Sequence, residues 1–449
     1  MAARTYWANR LTFPNPIVNE GIFSMLTKEE NDKLTRVGKG TPMGEMMRRY
    51  WHPIAISAEL PDCDGDPIVR KLLGERFVLF RNTEGLVGVI DEACLHRGAS
   101  MALGRVEEGG IRCIYHGWKF SVTGALLDTP NHADARVKER LKANAYPVRE
   151  QSGLIWTYIG PREKQPPFRE FHFDEVPATH RTVIRVNIPS NFLQNWEGGT
   201  DTSHVSILHS NVTRPGWLSG SNRTANEGDI NDFVKQSWDD MSPKLEIENT
   251  GFGYHYAGLR RLPGSDAVNA RLVPIFLPYG RIIPLPGFSS TIFEVPIDDH
   301  TTSTYLVDAS EGEPLEEKAR LKRSGFAEHN YRNRNFLIDP ENHYGQDRAA
   351  MRERRSWSGL DGLTQEDATI TVSMGPVYDR STEHLVAADA AIVRLRRRLL
   401  DAVDACESGG DPLGVNVADM KKVRAWDCDL EPADSWKRLA QPHNESYPA

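Results

Sequence analysis

The sequence is short of cysteine, of long apolar runs and of excess positive charge, and each shortage closes off a class. Five cysteines in 449 residues (Cys63, Cys94, Cys113, Cys406, Cys428) are too few and too scattered for a disulfide framework. A reducing, cytoplasmic location is the expectation. No stretch approaches the ~18 consecutive apolar residues of a membrane span, and the first residues lack the charged-then-apolar pattern of a signal peptide, so no membrane association is expected. The 54 Lys and Arg against 62 Asp and Glu give a formal net charge of −8, and no segment offers the basic surface a nucleic acid needs. Internal repeats and low-complexity tracts are missing as well. What remains is an ordinary globular composition, 39% hydrophobic and 26% charged, in a chain long enough for two or three domains.

Within that background, Cys94-Leu95-His96 and Cys113-Ile114-Tyr115-His116, with sixteen residues between them, stand out. Each short loop brings one thiolate and one imidazole. Replacing two thiolates of an iron–sulfur cluster by histidines is the mark of a Rieske [2Fe–2S] centre, one iron taking both sulfurs and the other both rings. A structural zinc site also accepts two Cys and two His, but usually draws Cys-x2–4-Cys from one loop and His-x3–5-His from another. Mixed loops fit the two-iron cluster better. Gly98 and Gly117 stand where backbone amides must approach cluster sulfur closely.

Around these loops, apolar β-forming segments at 68–72, 77–80, 86–90, 118–122 and 154–159, broken by turn residues, predict a small antiparallel β domain over 45–165. An arm and helix precede it over 1–44, where Thr27 and Glu30 form a capping box. The polar, proline-rich segment 161–169 reads as a linker. Beyond it, 166–449 mixes strands and helices. A strand is expected at 183–188, a helix at 191–209 interrupted by Gly198-Gly199, and sheet segments at 245–259, 271–288, 291–295 and 302–308. Helices follow at 314–326 and 387–406. The fold class is α+β.

The stretch from Glu197 to His209 (EGGTDTSHVSILH) holds a second chemical constellation. A 2-His-1-carboxylate triad leaves positions open on non-haem Fe(II), and His204 and His209 can supply its imidazoles. Asp201, three residues before His204, lies beside that ring if the segment is helical. An offset of five puts the two histidines ~140° apart on a regular helix, so the segment must bend or bulge. Alone, the pattern is weak and ordinary histidines explain it. Beside a one-electron centre it gains force, because such a relay needs an acceptor. The third ligand must come from afar, and the adjacent acids Glu366 and Asp367 are candidates between which spacing does not decide.

These residues resemble a known family. Cys94 to Ser100 (CLHRGAS), Gly109 to Phe120 (GGIRCIYHGWKF), the Glu197–His209 stretch, Gln365 to Ala368 (QEDA) and Ser373 to Arg380 (SMGPVYDR) are similar to the Rieske non-haem iron oxygenases, in the phthalate 4,5-dioxygenase-like branch. The resemblance runs from about Leu26 to Asp401. It implies an all-β Rieske domain followed by a helix-grip catalytic domain, an antiparallel sheet flanked by helices, assembled as a homotrimer or a dimer of trimers. It implies a [2Fe–2S] cluster on Cys94, His96, Cys113 and His116, and a mononuclear Fe(II) on His204, His209 and Asp367. Asp201 would bridge iron-bound His204 and cluster-bound His116 of the neighbouring subunit. Respiratory Rieske proteins add a cysteine pair at places held here by Ala99 and Tyr115, which disfavours a pure electron carrier.

The implied activity is a terminal oxygenase: an NAD(P)H-dependent reductase, directly or through a ferredoxin, supplies electrons, and O2 is spent on an aromatic acid. Ring dioxygenation is the first reading; monooxygenation, with O-demethylation of a methoxy-aromatic acid, is the alternative. An acid substrate needs a cation in an otherwise apolar pocket. Lys244, Arg260, Arg261 and Arg271 are candidates, and Arg271, opening an apolar strand, is the one most expected to point inward. The basic run Arg394 to Arg398 reads as a solvated helix face, or else as a docking patch for an acidic reductase.

Overall fold

The computed structural model describes residues 25–134, 136–213 and 240–447. The expected N-terminal arm lies almost wholly outside them. Its capping box does form: Thr27 and Glu30 exchange side-chain and backbone hydrogen bonds at the start of helix Lys28–Thr35. Helix Pro42–Met47 follows, burying Met43, Met46 and Met47 in the main core together with Leu395 and Leu399 of the long helix Ala390–Glu407.

Three small antiparallel sheets make up the first β region. Strand Glu75–Arg81 sits between Ile68–Leu72 and Val87–Asp91. Its apolar run serves two cores by alternation: Phe77 and Leu79 join the main core, and Val78 and Phe80 join a smaller one under the cysteine loops. A second sheet runs Arg105–Glu107, Gly110–Arg112, Lys119–Ser121, Leu126–Asp128, and a third pairs Trp51–Ile56, Leu154–Tyr158 and Val148–Gln151. The segment 161–169 is no loose tether. Pro166 accepts a hydrogen bond from Trp51 Nε1, Phe168 packs edge-on to Trp51 and Trp156, and the Arg169 guanidinium donates to the Leu277 and Val417 carbonyls.

The second region is one large twisted sheet, in the order Lys244–Thr250, Gly253–Arg261, Val268–Phe276, Gly280–Leu285, Phe288–Asp298, Thr301–Ala309, Arg181–Ile188, then two short strands, with Trp426–Leu430 also paired to Val268–Phe276. It is antiparallel apart from one parallel bridge, Asn187 to Asn335. The segments expected as sheet at 245–259 and 271–288 each contain a hairpin, turning at residues 251–252 and 277–279. Register puts Tyr256, Gly258 and Arg260 opposite Val273, Arg271 and Asn269, all on one face. Further along, Ile184, Val186, Ile188 and Leu306 pack on Ala368 of helix Leu363–Ser373.

Helix Phe192–Thr200 starts at Asn191, whose side chain accepts from Leu193 N, and continues straight through Gly198 and Gly199 instead of breaking there. The reason is close packing. A Cβ on Gly199 would lie 2.0 Å from Arg281 Cζ. The break comes at Asp201, whose backbone is extended (φ −70°, ψ 124°).

Candidate metal centres

The two cysteine loops are built alike. In the first, Gly98 N donates to Cys94 O and Cys94 N to Ala99 O, each at 2.8 Å. In the second, Gly117 N donates to Cys113 O and Cys113 N to Trp118 O, each at 2.9 Å. Both turns need positive φ, +72° at Gly98 and +76° at Gly117. The result holds two buried free thiols at the base and two imidazoles nearer the surface, with ring centroids 4.5 Å apart and His96 stacked on Trp118. Burial, joined by the neighbouring Cys113 thiol, pushes the Cys94 thiol up to about 11. A metal on that sulfur would stabilise the Cys94 thiolate. His96 Nδ1 is buried without a hydrogen-bond partner, as a nitrogen reserved for a metal would be.

A single zinc ion would draw all four donors into one small tetrahedron. Among the described residues, the one group of three or more donors within 4.8 Å of each other is His204, His209 and Asp367. The four Cys and His donors are spread more widely, as a two-iron cluster requires.

The awkward offset of five between His204 and His209 is met by a four-residue helix, Val205–Leu208, with one histidine just before it and the other just after. Their rings stand 5.1 Å apart at 75°. Asp367 Oδ1, from helix Leu363–Ser373, lies 3.5 Å from His204 Nε2 and 3.2 Å from His209 Nε2. Bonds of about 2.1 Å to imidazole and carboxylate set facial ligands about 3 Å apart, so the three donors fit one ion.

Electrostatics favour a cation here. Burial works against charged rings, yet Asp201 and Asp367 raise His204 to about 9, and Asp367 and Glu366 raise His209 to about 10. Asp367, which burial alone would raise, is held well below the usual carboxylate range by the two facing imidazoles. Protons on these rings supply the positive charge that a metal ion would bring. The far nitrogen of each ring meets a carboxylate: His209 Nδ1 lies 2.6 Å from Glu366 Oε2, and His204 Nδ1 lies 3.6 Å from Asp201 Oδ2. The adjacent acids are thus divided, with Asp367 facing both rings and Glu366 behind one. Asp201 Oδ1 accepts from Ser203 N and Oγ, both at 2.7 Å.

Of the cationic candidates, Lys244 lies apart from Arg260 and Arg271. It pairs with Leu259 on the opposite face of the sheet, its side chain is 74% exposed, and it holds Glu246. Arg261 is exposed and bound to Asp240. Arg260 and Arg271 are buried on the face that also carries Tyr256. Arg271 Nη1 is 2.9 Å from Asp427, while Arg260 Nη2 donates to Thr202 O at 3.0 Å, beside Asp201. Burial, then the neighbouring Arg271, lowers Arg260 to about 10.

Two groups escape the sequence. Glu197 is buried with Arg380 on one side (2.8 Å) and Arg396 on the other (2.6 Å), and its backbone oxygen accepts from Asp201 N. Arg396 belongs to the basic run expected to be a solvated face. Its place four residues after Ile392, on the same stripe as Leu395 and Leu399, was the signal that it points inward. Arg281 is buried on Glu294 (2.8 Å), and nothing but the Gly198-Gly199 pair hinted at a guanidinium packed against the helix.

A family model described as Rieske [2Fe-2S] domain matches residues 50–147, and one described as LigXa C-terminal domain like matches residues 157–447. The phthalate 4,5-dioxygenase oxygenase subunit of Pseudomonas putida is 35% identical over 401 residues, covering 87% of this chain and 89% of that one. The 3-chlorobenzoate-3,4-dioxygenase oxygenase subunit of Comamonas testosteroni is 34% identical over 416 residues, covering 88% and 93%. In solved structures, the oxygenase of an oxygenase–ferredoxin complex of carbazole 1,9a-dioxygenase shares the fold with a TM-score of 0.53 at 18% identity, covering 83% of this chain and 94% of that one. The chain belongs to the Rieske non-haem iron oxygenases, as an oxygenase subunit and O2-dependent oxidoreductase whose cofactors are a [2Fe–2S] cluster and a mononuclear non-haem iron.

Proposed function

We propose that this subunit accepts electrons from an NAD(P)H-dependent reductase, directly or through a ferredoxin, and dihydroxylates the ring of an aromatic acid. Cys94, Cys113, His96 and His116 hold the cluster, and His204, His209 and Asp367 hold the mononuclear iron. The observation that carries this reading is the convergence of His204, His209 and Asp367 on one point. When bound, the two centres supply one-electron delivery and dioxygen chemistry. The rest falls to the polypeptide. Arg271 and Arg260 orient the substrate carboxylate, and Asp201, 3.6 Å from His204 Nδ1, accepts a hydrogen bond from His116 of the partner subunit in a homotrimer.

Both relatives above are named for aromatic acids, which supports the substrate class. The carbazole dioxygenase complex supports a ferredoxin-like donor. Among the described residues no helix is long and apolar enough to cross a membrane, and every cysteine is free; both suit a reducing cytoplasm. The test is 18O2 turnover over a panel of aromatic and methoxy-aromatic acids with a reconstituted reductase. Both labelled atoms in one diol product support the proposal. A phenol plus formaldehyde from a methoxy acid replaces it with O-demethylation, and no oxygen uptake with any acid overturns the substrate class.

A further inference from the structure

We infer that Glu366 is the positioning residue of the mononuclear site, fixing the ring of His209 from behind and so setting how tightly the iron is held. The inference rests on the ligand reading above and goes one shell further. Neighbouring side chains on a helix diverge by about 100°, so Glu366 and Asp367 cannot both reach one ion. The structure uses the divergence. Asp367 Oδ1 stands 3.2 Å from His209 Nε2, and Glu366 Oε2 stands 2.6 Å from His209 Nδ1. Consecutive residues of one helix grip the same imidazole at both nitrogens.

The Glu366 carboxylate is itself fixed. It is 1% exposed, and its Oε1 accepts from Ser358 Oγ at 2.5 Å and from Asn211 Nδ2 at 3.5 Å. Asn211 also donates to Ser356 and Ser358 and accepts from Trp357 N, so segment 356–358 and the turn after His209 close around it. Among the described residues, the one ion-pair partner of this buried acid is His209. Accepting Nδ1–H fixes the tautomer that leaves Nε2 free to bind, and raises its basicity.

The two histidines are unequally supported. Asp201 lies 3.6 Å from His204 Nδ1, beyond hydrogen-bonding reach, and spends its other oxygen on Ser203. Iron affinity should therefore depend on Glu366 far more than on Asp201.

The experiment is anaerobic Fe(II) titration of protein whose mononuclear iron has been removed by a chelator while the cluster remains, with Co(II) as a spectroscopic probe. Glu366→Gln keeps shape and removes charge, and should weaken Fe(II) by about 10- to 100-fold with the cluster absorption unchanged. Asp201→Asn should leave affinity near wild type, and Ser358→Ala, which frees one carboxylate oxygen, should give a smaller loss in the same direction. Asp367→Ala separates the two levels of the argument. If it abolishes binding while Glu366→Gln and Ser358→Ala bind normally, the ligands stand and the positioning role is wrong. If Asp367→Ala still binds iron, the ligand set itself is wrong. Should Glu366→Gln fail to fold by circular dichroism, Ser358→Ala decides: wild-type affinity there overturns the inference.

Discussion

Gly198 and Gly199 make a matched pair for testing how the sheet supports the helix that leads into the iron site. In an exposed helix interior, either Gly→Ala change should stabilise by about 1 kcal/mol through helix propensity. At Gly198 the new Cβ meets only Thr371 Cγ2 at 3.6 Å, an ordinary contact, so the propensity gain survives. At Gly199 it lands 2.0 Å from Arg281 Cζ and 2.2 Å from Nε and Nη2. That guanidinium is 7% exposed and held 2.8 Å from Glu294, which also accepts from Thr304 Oγ1. Overpacking costs about 1–3 kcal/mol, and displacing one member of a buried ion pair about 3–5. Set against the propensity gain of about 1 kcal/mol, displacing the ion pair alone leaves Gly199→Ala with a net loss of about 2–4 kcal/mol. Urea unfolding followed by tryptophan fluorescence reads the difference: the midpoint rises or holds for Gly198→Ala and falls for Gly199→Ala. Equal effects of the two substitutions would refute the reasoning.

Glu197→Gln leaves Arg380 and Arg396 buried with less compensation and should cost about 3–5 kcal/mol. Burial alone would raise the Glu197 carboxyl, but Arg380 and then Arg396 hold it below its ordinary 4.5. A depressed folded value means its stabilisation is complete above 4.5 and fades as pH falls through the lower value, so acid-unfolding curves of wild type and variant should converge below pH 4.5. Asp201→Asn should keep both metals yet nearly abolish turnover, measured as substrate-dependent oxygen uptake; full activity would remove the bridging role. Arg271→Ala should raise KM for the aromatic acid by about tenfold or more, matching the loss of a charge-assisted hydrogen bond, while Lys244→Ala leaves KM unchanged.

The cluster loops were legible because a fixed backbone turn ties cysteine, histidine and glycine to rigid spacings, as the paired bonds at Cys94 and Cys113 bear out. The histidine pair was legible with its bend, since five residues cannot be spanned by a regular helix with both rings on one side. The division between Glu366 and Asp367 was not, because adjacency on a helix states an angle and not a direction. The sheet segments at 245–259 and 271–288 were legible as sheet, but their alternation does not mark the turns at residues 251–252 and 277–279. Gly198-Gly199 suggests an interruption, whereas the absent side chains admit Arg281 against an unbroken helix. Arg396 was read by its charge, although its phase on the helix put it with the buried leucines.

The central claim is that two separate inorganic centres share this chain, one on cysteine–histidine loops and one on a histidine–carboxylate triad. Metal and sulfide analysis of anaerobically purified wild type and His209→Ala tests it most directly. The account predicts about three iron and two sulfide per chain in wild type, falling to two and two in the variant with the Rieske absorption intact. An iron count unchanged by loss of His209, or protein lacking inorganic sulfide, would contradict it.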